Sequence, residues 1–160
     1  MPLVAEWFND PDFSGRYDPL DPQQSLTEIE KKYENLGVEE KWFIMETKDR
    51  AKVGFVGHFT VRSNVEIGYA LIPSERRKGY GAEAIVIMVD YLFLSKNIVR
   101  IQAGTNVENE ASQKVLEKAG FQKEGTSRKQ VFVRGKWTDF YNYSILREEW
   151  KEPRILTRAA

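Results

Sequence analysis

The run Pro73-Ser-Glu-Arg-Arg-Lys-Gly-Tyr-Gly-Ala-Glu-Ala84 decides how the chain is read. Three cations precede two glycines spaced by one residue, and alanines follow. Upstream, Val65 to Ile72 has the pattern of a strand; downstream, from Gly81 to Leu94, Ile85, Met88, Val89 and Leu92 recur at helical spacing with more apolar residues between them. The run therefore joins a strand to the start of a helix buried on most sides. A helix start has unpaired N–H groups and a partial positive charge, so a glycine-lined entry lets an anion reach several amides at once. Gly79 and Gly81 lack the Cβ atoms that would obstruct it, and Arg76, Arg77 and Lys78 offer charge from the rim. The loop Arg76, Arg77, Lys78, Gly79, Tyr80, Gly81, Ala82 is thus a candidate pyrophosphate cradle. Its order, R-x-x-G-x-G-A, is not the G-x-x-x-x-G-K-[ST] of a P-loop and leaves the dinucleotide pattern G-x-G-x-x-G incomplete.

Working outward, 160 residues fit a single domain spanning 1–160, with enough chain for an ordinary core. The 24 basic and 24 acidic residues cancel, so no global field favours a nucleic acid or an anionic membrane, and any anion must be held locally. With no cysteine there is no disulfide framework, zinc-thiolate site or cysteine nucleophile, and no metal-ligating cluster stands out. The start MPLVAEWFND has neither the basic region nor the apolar run of a secretory signal, and no apolar segment approaches the roughly 18 residues of a membrane helix. The expectation is a soluble, cytoplasmic protein. Asn142-Tyr-Ser144 matches a glycosylation sequon but lies inside an alternating strand pattern and carries no weight.

Asn9 to Pro22, rich in Pro and Asp, reads as an ordered loop. Ser25-Leu-Thr-Glu28 is a capping box for a helix running to about Leu36 and stopped by Gly37. Lys41 to Thr47, Lys52 to Val61 and Val65 to Ile72 read as strands joined by short polar turns, hence antiparallel hairpins. After the buried helix come a strand, Val99 to Ala103, a helix, Glu108 to Ala119, ended by Gly120, and a last hairpin turning near Arg134-Gly135. The class is α+β: a mixed, mostly antiparallel central sheet with helices on both faces.

At this point a resemblance enters. Arg76-x-x-Gly79-x-Gly81-Ala82, preceded by Glu66-Ile-Gly-Tyr-Ala-Leu-Ile-Pro73, resembles the acyl-CoA-binding motif of the GNAT superfamily of N-acetyltransferases. Asn109-Glu-Ala-Ser112-Gln-Lys-Val-Leu-Glu-Lys-Ala-Gly-Phe121 and the ending Gly135 to Trp150 resemble the branch that contains the ribosomal-protein N-terminal acetyltransferases. The resemblance covers about Val4 to Trp150. It implies the GNAT fold, acetyl-CoA as cosubstrate without a metal, and acetyl transfer to a primary amine by direct attack in a ternary complex. The acceptor it implies is a protein N-terminus or a small amine such as a polyamine, an amino sugar or an antibiotic. It further implies that the backbone of Ala70, Leu71 and Ile72 pairs with the pantetheine amides, with the Leu71 N–H polarising the thioester carbonyl. Family members open with a short strand that is missing before the helix at Leu3 to Asn9. The strand from Lys41 then has an uncovered edge, which fits pairing into a homodimer or a start codon placed too late; both readings stay open.

The remaining chemistry selects few residues. The attacking amine must lose a proton, and strand alternation puts Glu66 on one face with only the small Gly68 and Ala70, leaving room beside a carboxylate, while Val65, Ile67, Tyr69 and Leu71 face the core. Glu66 is the candidate base, with an ordinary surface or ion-paired glutamate as the alternative. Many family members supply a tyrosine to the leaving thiolate; the matching position is Leu116, which has no proton to give. In the branch resembled, Ser112 is the candidate that hydrogen-bonds the sulfur, with Asn109 one turn earlier; the alternative is Asn109 as a helix cap and Ser112 as a packing residue. His58, the one histidine, reads as a half-buried strand residue, and Trp137, Phe140, Tyr141 and Tyr143 as packing aromatics. Leu116 and the missing strand leave a non-catalytic acyl-CoA-binding module as the rival reading.

Overall fold

The structure is a computed structural model that describes residues 2–20, 23–37 and 39–155. Its elements run α1 (Pro2–Asn9), α2 (Pro11–Ser14), α3 (Leu26–Glu34), β1 (Lys41–Glu46), β2 (Lys52–Val61), β3 (Asn64–Leu71), a short 3-10 turn (Pro73–Glu75), α4 (Tyr80–Ser95), β4 (Arg100–Asn106), α5 (Glu110–Ala119), β5 (Gln122–Val133), β6 (Lys136–Leu146) and α6 (Arg147–Trp150). The six strands form one sheet in the order β1-β2-β3-β4-β6-β5. Every neighbouring pair is antiparallel except β3 and β4, which are parallel. The expected α+β class and mixed sheet are therefore present, and the local signals explain much of it. Ser25 and Glu28 form the reciprocal capping box that starts α3. Gly120 ends α5 in the left-handed region, at φ 104°, where a side chain would be strained.

Several boundaries differ from the sequence reading, α5 for one beginning at Glu110 and not Glu108. The Asn9 to Pro22 loop contains the short helix α2, because Asp10 caps it by accepting from the Asp12 N–H and Pro11 suits a first helical turn; residues 21 and 22 lie outside the described part. Helix α3 ends at Glu34, ahead of Gly37, with the Asn35 N–H already bonded to the Lys31 carbonyl. Strand β4 runs on to Asn106, held along its whole length by β6.

Helices α4 and α5 cover one face of the sheet. There Ile85, Leu92, Ile101, Leu116 and Tyr143 are almost wholly excluded from solvent, each large aliphatic side chain stabilising the fold by about 1.5–3 kcal/mol. The opposite face of β1–β3 is covered by the N-terminal helices through an aromatic cluster: Phe55 lies 5.4 Å from both Phe8, stacked, and Phe13, tilted, and 5.2 Å from the edge-on Trp42 of β1, between ring centroids. Among the described residues, β1 forms one edge of the sheet and exposes Phe43 and Ile44.

Candidate functional site

Strands β3 and β4 pair only at Val65 with Ile101 and Glu66 with Gln102. Beyond that the ladder stops although β3 continues to Leu71 and β4 to Asn106, so the sheet opens as a seam in its own middle. Antiparallel β-strand residues point both backbone polar groups to one side, alternately left and right. The Ile72 N–H donates to the Val53 carbonyl at 3.0 Å, and the Ala70 carbonyl abuts Gly54, so these two residues are turned toward β2. Alternation leaves Tyr69 and Leu71 turned toward the seam. Of the backbone trio expected to pair with pantetheine, then, Leu71 faces the opening and Ala70 and Ile72 do not. The sequence could not show this, because the parity of a strand is set by the register of its neighbour.

The cradle loop follows directly. Gly79 caps α4 in the left-handed region at φ 91°, with no side chain satisfying the first amides of the helix and nothing within 4 Å of where a Cβ would project. That start is open, as an anion site requires. Gly81 has a different task. A Cβ there would stand in ordinary contact with the Tyr69 ring at 3.4 Å and Leu71 at 3.6 Å, so the position faces β3 and not the helix entry. Ala82 is buried beside it and Tyr80 packs against the core.

The rim cations also separate. Arg76, expected to offer charge outward, turns inward: Nε donates to the Leu71 carbonyl at 3.1 Å, and an Nη donates to the carbonyls of Asp12 and Phe13 at 2.8 and 2.7 Å. A guanidinium can saturate several carbonyls at once, so Arg76 ties the N-terminal segment across the end of β3. Lys78 pairs with Glu75 at 2.9 Å. Arg77 stays exposed on the rim.

Glu66 sits where the ladder ends, its carboxylate accepting a 3.0 Å bond from Gln102. The space expected beside it is smaller than strand alternation implied. The Trp42 indole lies over Gly57 and Gly68, 3.3 Å from where a Gly68 Cβ would stand, and its Nε1 donates to Glu40 at 2.8 Å. The two glycines make room for the ring.

Across the seam, Asn109 caps α5 by accepting from the Ser112 N–H at 3.1 Å. Ser112 Oγ meets the Tyr69 hydroxyl at 2.9 Å. This contact, which links β3 to α5 over the opening, was missed because Tyr69 was assigned to the core face. The available signal was that a buried phenol needs a hydrogen-bond partner. Burial pushes the Tyr69 phenol up to about 12, the Ser112 bond opposing this and Asp18 adding to it. Asn106, also missed, is buried at the end of β4 and holds the Tyr17 carbonyl at 3.4 Å. Leu116 is core, 1% exposed, so its position offers no donor.

His58 is fully buried on the α4 side against Tyr91, and among the described residues neither ring nitrogen meets a hydrogen-bond partner. Burial first, then Lys96 and Lys41, hold it below its ordinary range, with Glu39 opposing. A groove of about 650 Å³ lies between β1 and α4, flanked by Phe43, Met45, Ile87 and Met88, and belongs to the sheet edge, not to the seam. No helix among the described residues is long and apolar enough to cross a membrane.

The family model described as an acetyltransferase (GNAT) domain matches residues 1–122. A probable N-acetyltransferase of Bacillus subtilis (strain 168), YjcK, is 36% identical over 128 residues, covering 78% of this chain and 70% of that protein. The next curated relatives are matched over about half to two thirds of their own length. Among solved structures, spermidine N-acetyltransferase from Vibrio cholerae in complex with CoA and spermine superposes with a TM-score of 0.84 at 22% identity, over 94% of this chain and 92% of that one. Ribosomal-protein-S5-alanine acetyltransferase from Vibrio fischeri follows with a TM-score of 0.74 at 25% identity, over 93% and 88%.

Proposed function

Since the chain belongs to the acetyltransferase (GNAT) family and is an acetyl-CoA-dependent acetyltransferase acting on amines, we propose how its own residues carry the reaction. Acetyl-CoA lies along the seam, its pantetheine arm bonding to the edge of β3 at the Tyr69 backbone and the Leu71 N–H, the Leu71 carbonyl being held by Arg76, and its pyrophosphate meeting the open amides at the Gly79 start of α4. The observation that carries this reading is the ladder that stops after Glu66 and Gln102, leaving strand edge free beside an uncapped helix start. The Leu71 N–H polarises the thioester carbonyl and holds the oxyanion as the amine attacks. A proton leaves the amine for Glu66 through ordered water, since the five residue steps from Glu66 to Leu71 span about 16 Å of strand. The C–S bond then breaks, and the Ser112 hydroxyl hydrogen-bonds the departing thiolate. No acyl-enzyme forms on this route. Arg77 supports the phosphates, whereas Arg76 shapes the site through the N-terminal segment.

For the acceptor we propose a small cationic amine of the polyamine class. Support comes from the spermine-bound relative and from Asp10, Asp12 and Asp18, acidic residues on the segment that Arg76 and Asn106 tie beside the seam. The second reading, a protein N-terminus, is supported by a putative ribosomal N-acetyltransferase of Bacillus subtilis, YdaF, 33% identical over 91 residues, and by the S5-alanine acetyltransferase likeness. Thiol release from acetyl-CoA with spermidine, and with a peptide beginning in alanine, decides between them. Turnover with spermidine alone confirms the proposal; turnover with the peptide alone overturns it.

A further inference from the structure

We propose that Tyr69 is a positioning residue for the leaving group: its phenol donates to Ser112 Oγ and so turns the single hydroxyl hydrogen of that serine into the seam, toward the sulfur. The inference rests on the reading of Ser112 given above.

The contact joins two elements that the sheet itself leaves apart. Tyr69 is on β3, facing α4 and α5, and Ser112 is in the first turn of α5, 2.9 Å away across the seam. Either oxygen can donate, and the direction decides what Ser112 can do. If serine donates to the phenol, its one hydrogen is used and nothing remains for a thiolate. A phenol is the stronger acid and hence the better donor, and with its pKa pushed up to about 12 by burial it keeps its proton at neutral pH. The serine has no competing tie: its N–H is taken by Asn109, and among the described residues Oγ has no partner besides Tyr69. A serine near a helix start otherwise turns back onto a carbonyl of the preceding turn. Held by Tyr69, it presents its hydrogen to the opening where the acyl donor lies. Gly81 contributes indirectly, because the Tyr69 ring rests against it at 3.4 Å from its missing Cβ.

The test uses ligands without an acceptor, so it does not depend on which amine is acetylated. Affinities of CoA and of desulfo-CoA, which lacks the thiol, are measured by calorimetry between pH 6.5 and 9.5 for the full chain, Ser112→Ala and Tyr69→Phe. A donor aimed at sulfur lowers the pKa of the bound thiol below its free value, about 8.5 by analogy with cysteine. The preference for CoA over desulfo-CoA then rises with pH between the bound and free values and levels off above them. A rise of about tenfold, one pKa unit, is expected for the unmodified protein, and a flat preference for both variants. Flatness in the unmodified protein overturns the reading of Ser112 and this inference with it. A flat Ser112→Ala beside a Tyr69→Phe that keeps the rise overturns the role of Tyr69 alone. Should Tyr69→Phe not fold, proton NMR of the CoA complex serves instead: the Tyr69 hydroxyl proton is expected to exchange slowly in the unmodified protein and fast in Ser112→Ala, and equal rates overturn the inference.

Discussion

The two halves of the sheet are built alike and joined unlike either. One half, β1-β2-β3, is paired from Lys41 to Leu71; the other, β4-β6-β5, is paired from Arg100 to Leu146, with register breaks in β5 between Lys123 and Gly125 and between Ser127 and Val131. Between them the parallel pairing lasts for two residues. Cohesion across the rest comes from side chains: Tyr69 with Ser112, Gln102 with Glu66, and the N-terminal segment strapped by Arg76 to one half and by Asn106 to the other. The difference teaches that a sheet can keep an open edge inside its own middle when one hydrophobic core under both halves, from Val53 and Ile67 to Ile101 and Tyr143, holds them together. An edge at the rim would face solvent and other chains; this one is flanked by two helix starts.

The largest expected effect comes from cutting the strap. Arg76→Ala removes hydrogen bonds to three carbonyls, a loss of about 3 kcal/mol at roughly 1 kcal/mol or more each, seen as a fall in Tm of roughly 6–12 °C. If Tm is unchanged while coenzyme affinity collapses, Arg76 is a phosphate ligand after all. Glu66→Gln comes next: kcat is expected to drop about a hundredfold and the acidic limb of the pH–rate profile to disappear, with coenzyme affinity kept. A retained limb clears Glu66 of the role. The glycines then separate entry from packing. Gly79→Val is expected to weaken coenzyme binding about tenfold or more, because a side chain forced into the left-handed region projects over the open amides, a strain of about 1–2 kcal/mol in itself, whereas Gly81→Ala, which meets only ordinary contacts, leaves affinity within about twofold of normal. Equal losses would erase the distinction drawn from their surroundings.

The smallest effect belongs to the far half. Arg100 holds the Glu124 carboxyl down to about 2, with Ser144 donating to the same carboxylate. A depressed folded value contributes stability above the unfolded value of 4.5 and loses it as pH falls toward about 2. Because Glu124 is 42% exposed, the gain is discounted to about 0.5–1 kcal/mol. Melting curves at pH 7 and pH 3 should therefore converge slightly for Arg100→Ala and the unmodified protein at the lower pH, and a gap that widens on acidification contradicts the ion pair.

Local periodicity and caps made the elements legible: the Ser25 box, the two antiparallel hairpins and the buried α4 follow from residues close in sequence. The seam does not, because its existence depends on how far two strands distant in the chain stay paired. Among candidate residues, Leu71, Gly79, Glu66 and Ser112 line the region that the sequence indicated. Arg76 and Gly81 do other tasks there, since a motif gives residue types and leaves open which way a guanidinium or a missing Cβ points. Tyr69 reads from alternation only as a core-facing aromatic, and a tryptophan such as Trp42 carries no local signal of its task; their neighbours, Ser112 and Gly68, show where they sit.

The claim that the seam is a strand edge awaiting a ligand is tested most directly by amide hydrogen exchange, read residue by residue by NMR with and without CoA. Ala70 and Ile72, already turned to β2, are expected to exchange slowly in both states, while Tyr69 and Leu71 exchange fast alone and become protected when CoA is added. Protection of Tyr69 and Leu71 that is unchanged by CoA, or present before it is added, would contradict the account.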